Sequence, residues 1–315
     1  MTPSYFTRLL LLSSAVFFLL QVAIAAVIAW LTPRALRRAT SMAPQHAARF
    51  LLMLRLLPAA LSALLVAILC VPGYLLFEPR AASEEVSIAC AAAAFFGAAI
   101  LASAAFSAIS ALLISRQYLR RCTGVESTLD GEKVQVSPHS AGLALAGILH
   151  PRLLISEQAA AQLSVDELTV ALRHERAHRD SRDNLKRLLI LLAPAIFPAL
   201  RTLDQAWAKY AEWAADDQAT AGDPEDSLAL AAALVRVARL QSGLPMPRLV
   251  TSLVEADEDL SLRVDRLLHP ASAEPRNFRA ELVALSGLAL IVIVAMNPAA
   301  LRVVHQLLEL VYDLW

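Results

Sequence analysis

The sequence predicts a mainly α membrane protein: about four transmembrane helices, with a mixed α+β domain between the third and the fourth. Three observations lead there. Of 315 residues, 57% are hydrophobic and only 18% charged, which is too apolar for an ordinary soluble chain of this size. Several apolar runs reach the roughly 20 residues that a helix needs to cross a bilayer. Between 116 and 279 the character changes, and short alternating strands and charged amphipathic helices replace the apolar runs. The formal net charge is zero, so no bulk attraction to nucleic acid, and no direct nucleic-acid partner, is expected. Cys70, Cys90 and Cys122 are far apart and form no CxxC pair, which supports neither a disulfide framework nor a cysteine zinc site.

Residues 1–115 read as an N-terminal membrane domain with three spans, at about 9–31, 51–77 and 86–114. The first run resembles a signal peptide in its Ala23-Ile24-Ala25, but it continues apolar to Leu31. That is longer than a signal core needs, so an uncleaved helix is expected. The second run carries Arg55 and Pro58 near its start, and Arg55 is expected to snorkel towards the basic side. The third is rich in Ala and Ser and contains Gly97, small residues that let membrane helices approach closely. The 32–49 loop holds Arg34, Arg37, Arg38 and Arg49 without an acid, and Arg116, Arg120 and Arg121 follow the third run. The loop at 78–85 is acidic by contrast. By the positive-inside rule the basic segments are cytoplasmic and the N-terminus lies outside. Arg8 argues the other way, one arginine against four.

In the domain that follows, Lys133 to Ser137 alternates as a strand, and Leu143 to Ala146 and Leu153 to Ser156 are two more short apolar pieces. A small antiparallel sheet is expected ahead of a helix. Ser164 as N-cap, Glu167 three residues on, and then Leu168, Ala171 and Leu172 mark the start of that helix. Inside it stands His174-Glu175-Arg176-Ala177-His178, an HExxH pattern. Residues four apart share a helix face, so both imidazoles can point at one ion, and Glu175 is placed to polarise a water beside it. Two neutral nitrogens, a third protein ligand and one open position suit zinc. The competing reading is a charged, solvated helix face, because Arg173, Arg179, Asp180, Arg182 and Asp183 crowd the same stretch.

After the motif, 188–200 (LLILLAPAIFPAL) is apolar but short, and broken by Pro194 and Pro198. It reads as a buried or membrane-dipping hairpin rather than a full span. Glu212 and Asp216, in YAEWAADDQAT, are four apart on an expected helix. A carboxylate ligand with a second carboxylate holding a ligand His is a common metal-site arrangement. Alone, the same pair describes a solvated acidic face equally well, and Asp217 fits that description. Further helices are expected over Ser227 to Leu240 and Leu260 to Leu268, the latter carrying Arg263. A fourth span is expected from Leu282 to about Leu301, followed by a short tail.

With these residues in view, the chain resembles the integral-membrane zinc metallopeptidases of the BlaR/MecR antirepressor family. It is similar, more distantly, to the HtpX and CAAX prenyl protease group. The carriers are GILHPRLLIS at 147–156, HERAH at 174–178, Asp183 five residues beyond the second His, and EWAAD at 212–216. The resemblance implies a cytoplasmic zincin-type α+β metalloprotease domain over 116–279, with the fourth span and tail at 280–315. It implies His174, His178 and Glu212 as ligands of Zn2+ and Glu175 as general base. Asp216 would be a partner for a ligand His, and Arg263 would orient the site. It also implies a multi-pass protein of a bacterial-type inner membrane.

The chain departs from the β-lactam-sensing relatives in one large respect. No Ser-x-x-Lys occurs in it, and about fifteen residues follow the fourth run, so the extracellular penicillin-binding sensor domain is not expected here. A separate sensor subunit would have to supply that role. The function expected is a membrane-embedded zinc endopeptidase acting on a cytoplasmic or membrane protein, including a DNA-binding repressor as substrate. The alternatives are a membrane signalling component working through regulated protein contacts, and a non-catalytic scaffold.

Overall fold

Helices α1 (Tyr5–Ala39), α2 (Pro44–Leu65) and α3 (Val71–Phe77), then α4 (Ile88–Arg121), carry the first three apolar runs. The computed structural model describes residues 4–77, 86–129, 131–140, 142–240, 247–253, 260–269 and 306. The expected fourth span and the 78–85 loop lie outside the described residues. A π-helical turn at Val66–Cys70 joins α2 to α3, so Pro44–Phe77 forms one element. With α1 and α4, that makes three helices among the described residues long and apolar enough to cross a membrane. Their ends have local causes. Ser4 and Ser87 cap α1 and α4 by accepting from the backbone N–H three residues on, and Arg37, Arg38, Arg120 and Arg121 sit in the last turns. There they favour the negative end of the helix dipole.

α4 reaches α1 through small side chains. A Cβ on Gly97 would collide with the Ser14 carbonyl oxygen and crowd Phe18, and Phe18 stacks on Phe96 one residue away, centroids 5.7 Å apart. Arg55 departs from expectation. It does not snorkel. It is buried at 2% exposure, donating to Asp204 over 2.6 Å and to the carbonyls of Ile190 and Ala193 over 3.3 and 2.9 Å. The later helices pack directly against α2 and bring an acidic partner to the guanidinium.

The rest of the described chain is a five-stranded sheet with helices on it. The strands are β1 (Val125–Leu129), β2 (Glu132–Val136), β3 (Leu143–Ala146), β4 (Arg152–Ile155) and β5 (Val250–Ser252), in the order β1-β2-β4-β3-β5. The sheet is mixed, not antiparallel as the sequence reading had it. β2 and β4 run parallel and the remaining pairs antiparallel. β4, with Leu153, Leu154 and Ile155 all buried, takes the centre of the sheet. Its antiparallel partner β3 doubles back from it, which leaves β2 on its other side running the same way. Ser156 leaves the strand to cap α5 (Glu157–Gln162).

Helix α6 (Val165–Ser181) lies on the sheet, and α9 (Pro224–Leu240) packs on α6. Val134, Leu145, Leu153, Leu172, Leu230 and Leu234 meet between them in one core. α7 (Asp183–Leu192), α8 (Pro198–Thr220) and α10 (Leu260–Leu268) complete the fold. A short non-helical turn joins α7 to α8 within the 188–200 stretch, α7 packing on α4 and α8 on α2, with Pro198 at the first position of α8, where its missing N–H is harmless. α8 has two partners. One side joins a core with Ala25, Ile28, Ala39, Ala47 and Leu51 of α1 and α2, through Leu200, Leu203, Trp207 and Tyr210. Another packs on α6.

Gly97→Val is expected to destabilise the protein by about 1–3 kcal/mol, as overpacking generally does, because backbone on α1 must move. A lowered melting temperature in detergent, with Gly73→Val as the control where a Cβ meets nothing within 4 Å, checks this.

Candidate metal centre

α6 begins with the capping box that its sequence announces. Ser164 Oγ accepts from the Glu167 N–H over 3.2 Å, and a Glu167 carboxylate oxygen accepts from the Ser164 N–H over 2.9 Å. The helix so started turns His174, Glu175 and His178 inward, all at 0–1% exposure. Its outer face is the charged one. Arg179 donates to Glu132 over 2.8 and 2.9 Å, Arg176 lies 3.0 Å from the same carboxylate, and Arg173 pairs with Asp226. Arg173, Arg176 and Arg179, which made a solvated face a competing reading, thus occupy the other side of the helix.

α6 and α8 cross so that Glu212 faces both imidazoles. The two Nε2 atoms lie 3.1 Å apart, and the Glu212 oxygens lie 3.5 Å from His174 Nε2 and 3.4 Å from His178 Nε2. One ligand atom from each of these three residues falls within 4.8 Å of the others, a group that could hold a metal ion. Both Nδ1 atoms face carboxylates. His178 Nδ1 lies 2.7 Å from Asp183, within hydrogen-bond geometry. His174 Nδ1 lies 3.0 Å from Asp216, at ion-pair distance but off the hydrogen-bond angle. A carboxylate at Nδ1 leaves Nε2 as the ligand atom, which is the usual backing of a metal-bound imidazole.

Asp216 is in turn gripped by Arg263 of α10, which donates from Nε over 2.9 Å and from Nη2 over 2.6 Å. The third nitrogen of the same guanidinium donates to the Leu253 carbonyl over 2.8 Å and stands 3.2 Å from Glu212. The remaining carboxylate is exceptional. Both oxygens of Glu175 are buried without a hydrogen-bond partner, as are both oxygens of Glu212. Stranded buried acceptors cost about 1–3 kcal/mol each, more when charged. Two imidazole nitrogens, one carboxylate and a second carboxylate beside them are what a divalent cation with one water satisfies.

The electrostatics agree. Burial lifts the Glu175 carboxyl to about 7, against the pull of both imidazoles. Burial opposes a proton on His174, but Asp216 and Glu212 outweigh it and raise its pKa. The same contest leaves His178 well above its usual value, through Glu212 and Asp183. Glu212 falls well below the carboxylate range despite its burial, held there by His178 and Arg263. Asp216 falls to about 2, burial being overcome by Arg263 and His174. A pocket that collects this much proton affinity on two imidazoles is negative, and a divalent cation relieves it in place of the protons.

All six residues singled out in the sequence, His174, Glu175, His178, Glu212, Asp216 and Arg263, meet in this one buried cluster. Asp183 adds to them. In the sequence it stands both in the charged stretch after the motif and five residues beyond His178, and it reaches the imidazole because Arg182 adopts a left-handed backbone, φ 55°. That residue stops α6 and turns the chain back into α7. Lys186 holds the other Asp183 oxygen over 2.7 Å. Asn184 donates to the carbonyls of Leu145 and Gly147 over 3.1 and 2.8 Å, tying α7 to the end of β3. Arg187 of the same helix lies 3.9 Å from Glu212. Asp217 pairs outward with Arg266 over 2.6 Å, in keeping with a surface role.

No family model matches the sequence, and no curated protein matches it. The site therefore stands on its own residues.

In the metal-free protein, the stability that Asp216 confers is present above about pH 4 and is lost as the pH falls through about 2, its folded pKa lying below the unfolded value of 3.8. Melting curves between these limits should show the loss, and Asp216→Asn should flatten that dependence. Asp183→Asn is expected to weaken zinc affinity about 10–100-fold, the usual effect of removing the carboxylate behind a ligand imidazole. Competition with a zinc chelator measures it.

Proposed function

We propose that this chain is a membrane-embedded zinc-dependent endopeptidase. The observation that carries the reading is the pair of unsatisfied carboxylates. Glu212 completes a three-residue cation site with the Nε2 atoms of His174 and His178. Glu175 stands beside that site with neither oxygen engaged. A bound zinc supplies Lewis acidity and lowers the pKa of water to about 7. The protein's own groups then divide the work. Asp183 and Asp216 fix the imidazoles at Nδ1. Arg263 holds Asp216 and lies against Glu212, so both carboxylates are oriented before any substrate arrives. Glu175, with neither oxygen engaged, is placed to accept the proton of the attacking water and to return it to the leaving amine.

The resemblance to BlaR/MecR antirepressor peptidases supports a protein substrate, including a transcriptional repressor, and a cytoplasmic position for the site. The basic residues at 34–38 and 116–121 support the same orientation.

The test is metal content and turnover together. Wild-type protein purified in detergent is expected to hold about one zinc per chain, and Glu212→Ala to lose most of it, consistent with a three-ligand site. Glu175→Gln is expected to keep the zinc and to lose hydrolysis of a random peptide library by a factor of about 1,000 or more. No zinc in the wild type after zinc is supplied, or undiminished hydrolysis by Glu175→Gln, would overturn the reading.

A further inference from the structure

The turn between α7 and α8 meets α1 at Gln21. This fully buried side chain donates from Nε2 to the Pro194 carbonyl over 3.4 Å. Gln21 stands in the middle of the apolar run Leu9 to Leu31. From it to Leu31 is about 15 Å at 1.5 Å per residue, half of a hydrocarbon core about 30 Å thick. α2 provides an independent ruler. Arg55, about 16 Å along the helix from Pro44, holds Asp204, which is about 9 Å along α8 from Pro198. The turn is therefore about 25 Å from the Pro44 end of α2, close to the distance of about 27 Å that separates Gln21 from the Ala39 end of α1. Both rulers put the turn near the centre of the bilayer.

The chemistry of the turn fits that depth. Residues 193–197 are Ala-Pro-Ala-Ile-Phe, without a polar side chain, and Leu189 and Leu192 on α7 are exposed at 41% and 45%. Non-helical backbone inside a bilayer survives only where its polar groups are satisfied by protein. Here Arg55 donates to the carbonyls of Ile190 and Ala193, and Gln21 donates to that of Pro194. Two polar side chains of membrane helices, otherwise costly at such depth, thus have their reason.

From the turn α8 climbs outward. Pro198 to Glu212 is about 21 Å along the helix, which leaves Glu212 roughly 6 Å beyond the hydrocarbon edge defined by Leu31. The partly exposed Trp213 falls near this edge on α8. On α1 the exposed Trp30, with Arg34 stacked 4.6 Å from its ring centroid, falls there too. Trp and Tyr mark membrane boundaries in this way.

We propose that the α7–α8 hairpin is re-entrant, reaching the bilayer centre, and that it fixes the metal site at the membrane surface, so that the substrate is a polypeptide segment adjoining a membrane anchor. The substrate class rests on the peptidase reading above, whereas the depth of the hairpin does not.

Two measurements on wild-type protein in phosphatidylcholine vesicles test this. The first is photolabelling with phosphatidylcholine carrying a diazirine at its acyl-chain terminus, mapped by mass spectrometry. Adducts on Leu189, Leu192 and the 193–197 turn are expected. Labelling of that segment by a headgroup diazirine instead overturns the insertion. The second uses a pool of reporters with a random segment beside a single membrane-spanning helix. A matched pool carries a flexible spacer of about forty residues, which moves the segment roughly 35 Å away. Zinc-dependent cleavage is expected to favour the adjoining segment about tenfold or more, through effective concentration. Equal cleavage of both pools overturns the substrate class. Deep adducts with cleavage of neither pool overturn the peptidase reading while leaving the inserted hairpin in place.

Discussion

Burying charge is the constraint on which this structure turns. Three carboxylates of the cluster, Glu175, Glu212 and Asp216, are withdrawn from water together with two imidazoles and one guanidinium. Isolated, each ion would cost several kcal/mol. The fold exists in this form because each is answered by another from a distant part of the chain. Asp216 of α8 lies between His174 of α6 and Arg263 of α10, and Asp183 of α7 answers His178. What remains without a hydrogen-bond partner, the oxygens of Glu175 and Glu212, is concentrated beside the two imidazoles. There a cation and a water have most to gain.

The same constraint explains why α8 is shared. Its inward carboxylates need α6 and α10, while Leu200, Leu203, Trp207 and Tyr210 need the apolar surfaces of α1 and α2. One helix therefore belongs both to the membrane bundle and to the metal cluster, and the Arg55–Asp204 pair locks the two together. A shift of the membrane helices would be felt at Glu212, about 12 Å further along the same helix. The placement of the site relative to the bundle is consequently a property of packing, not of a linker.

Much of this was written locally. Ser164 and Glu167 announce the start of α6, and the spacing of His174 and His178 fixes a shared face whatever surrounds them. Glu212 and Asp216 likewise share a face by position alone. The turn between β1 and β2 was also legible, since Asp130-Gly131 is a strong hairpin signal and Gly131 adopts φ +73°. That signal marks β1, whose own residues are less apolar than those of β3 and β4. β5 had no comparable mark, because three residues are too short for any period to show.

The sequence by itself determined the apolar helices, the motif helix and the identity of the groups able to hold a cation, because periodicity, capping and spacing act within a few residues. Only the tertiary structure decided that β4 lies between β2 and β3, that Arg55 turns inward to Asp204, and that Asp183 closes on His178. Those outcomes depend on which surfaces meet across long stretches of chain. A buried polar group takes whichever partner packing brings to it, and no local pattern records that choice.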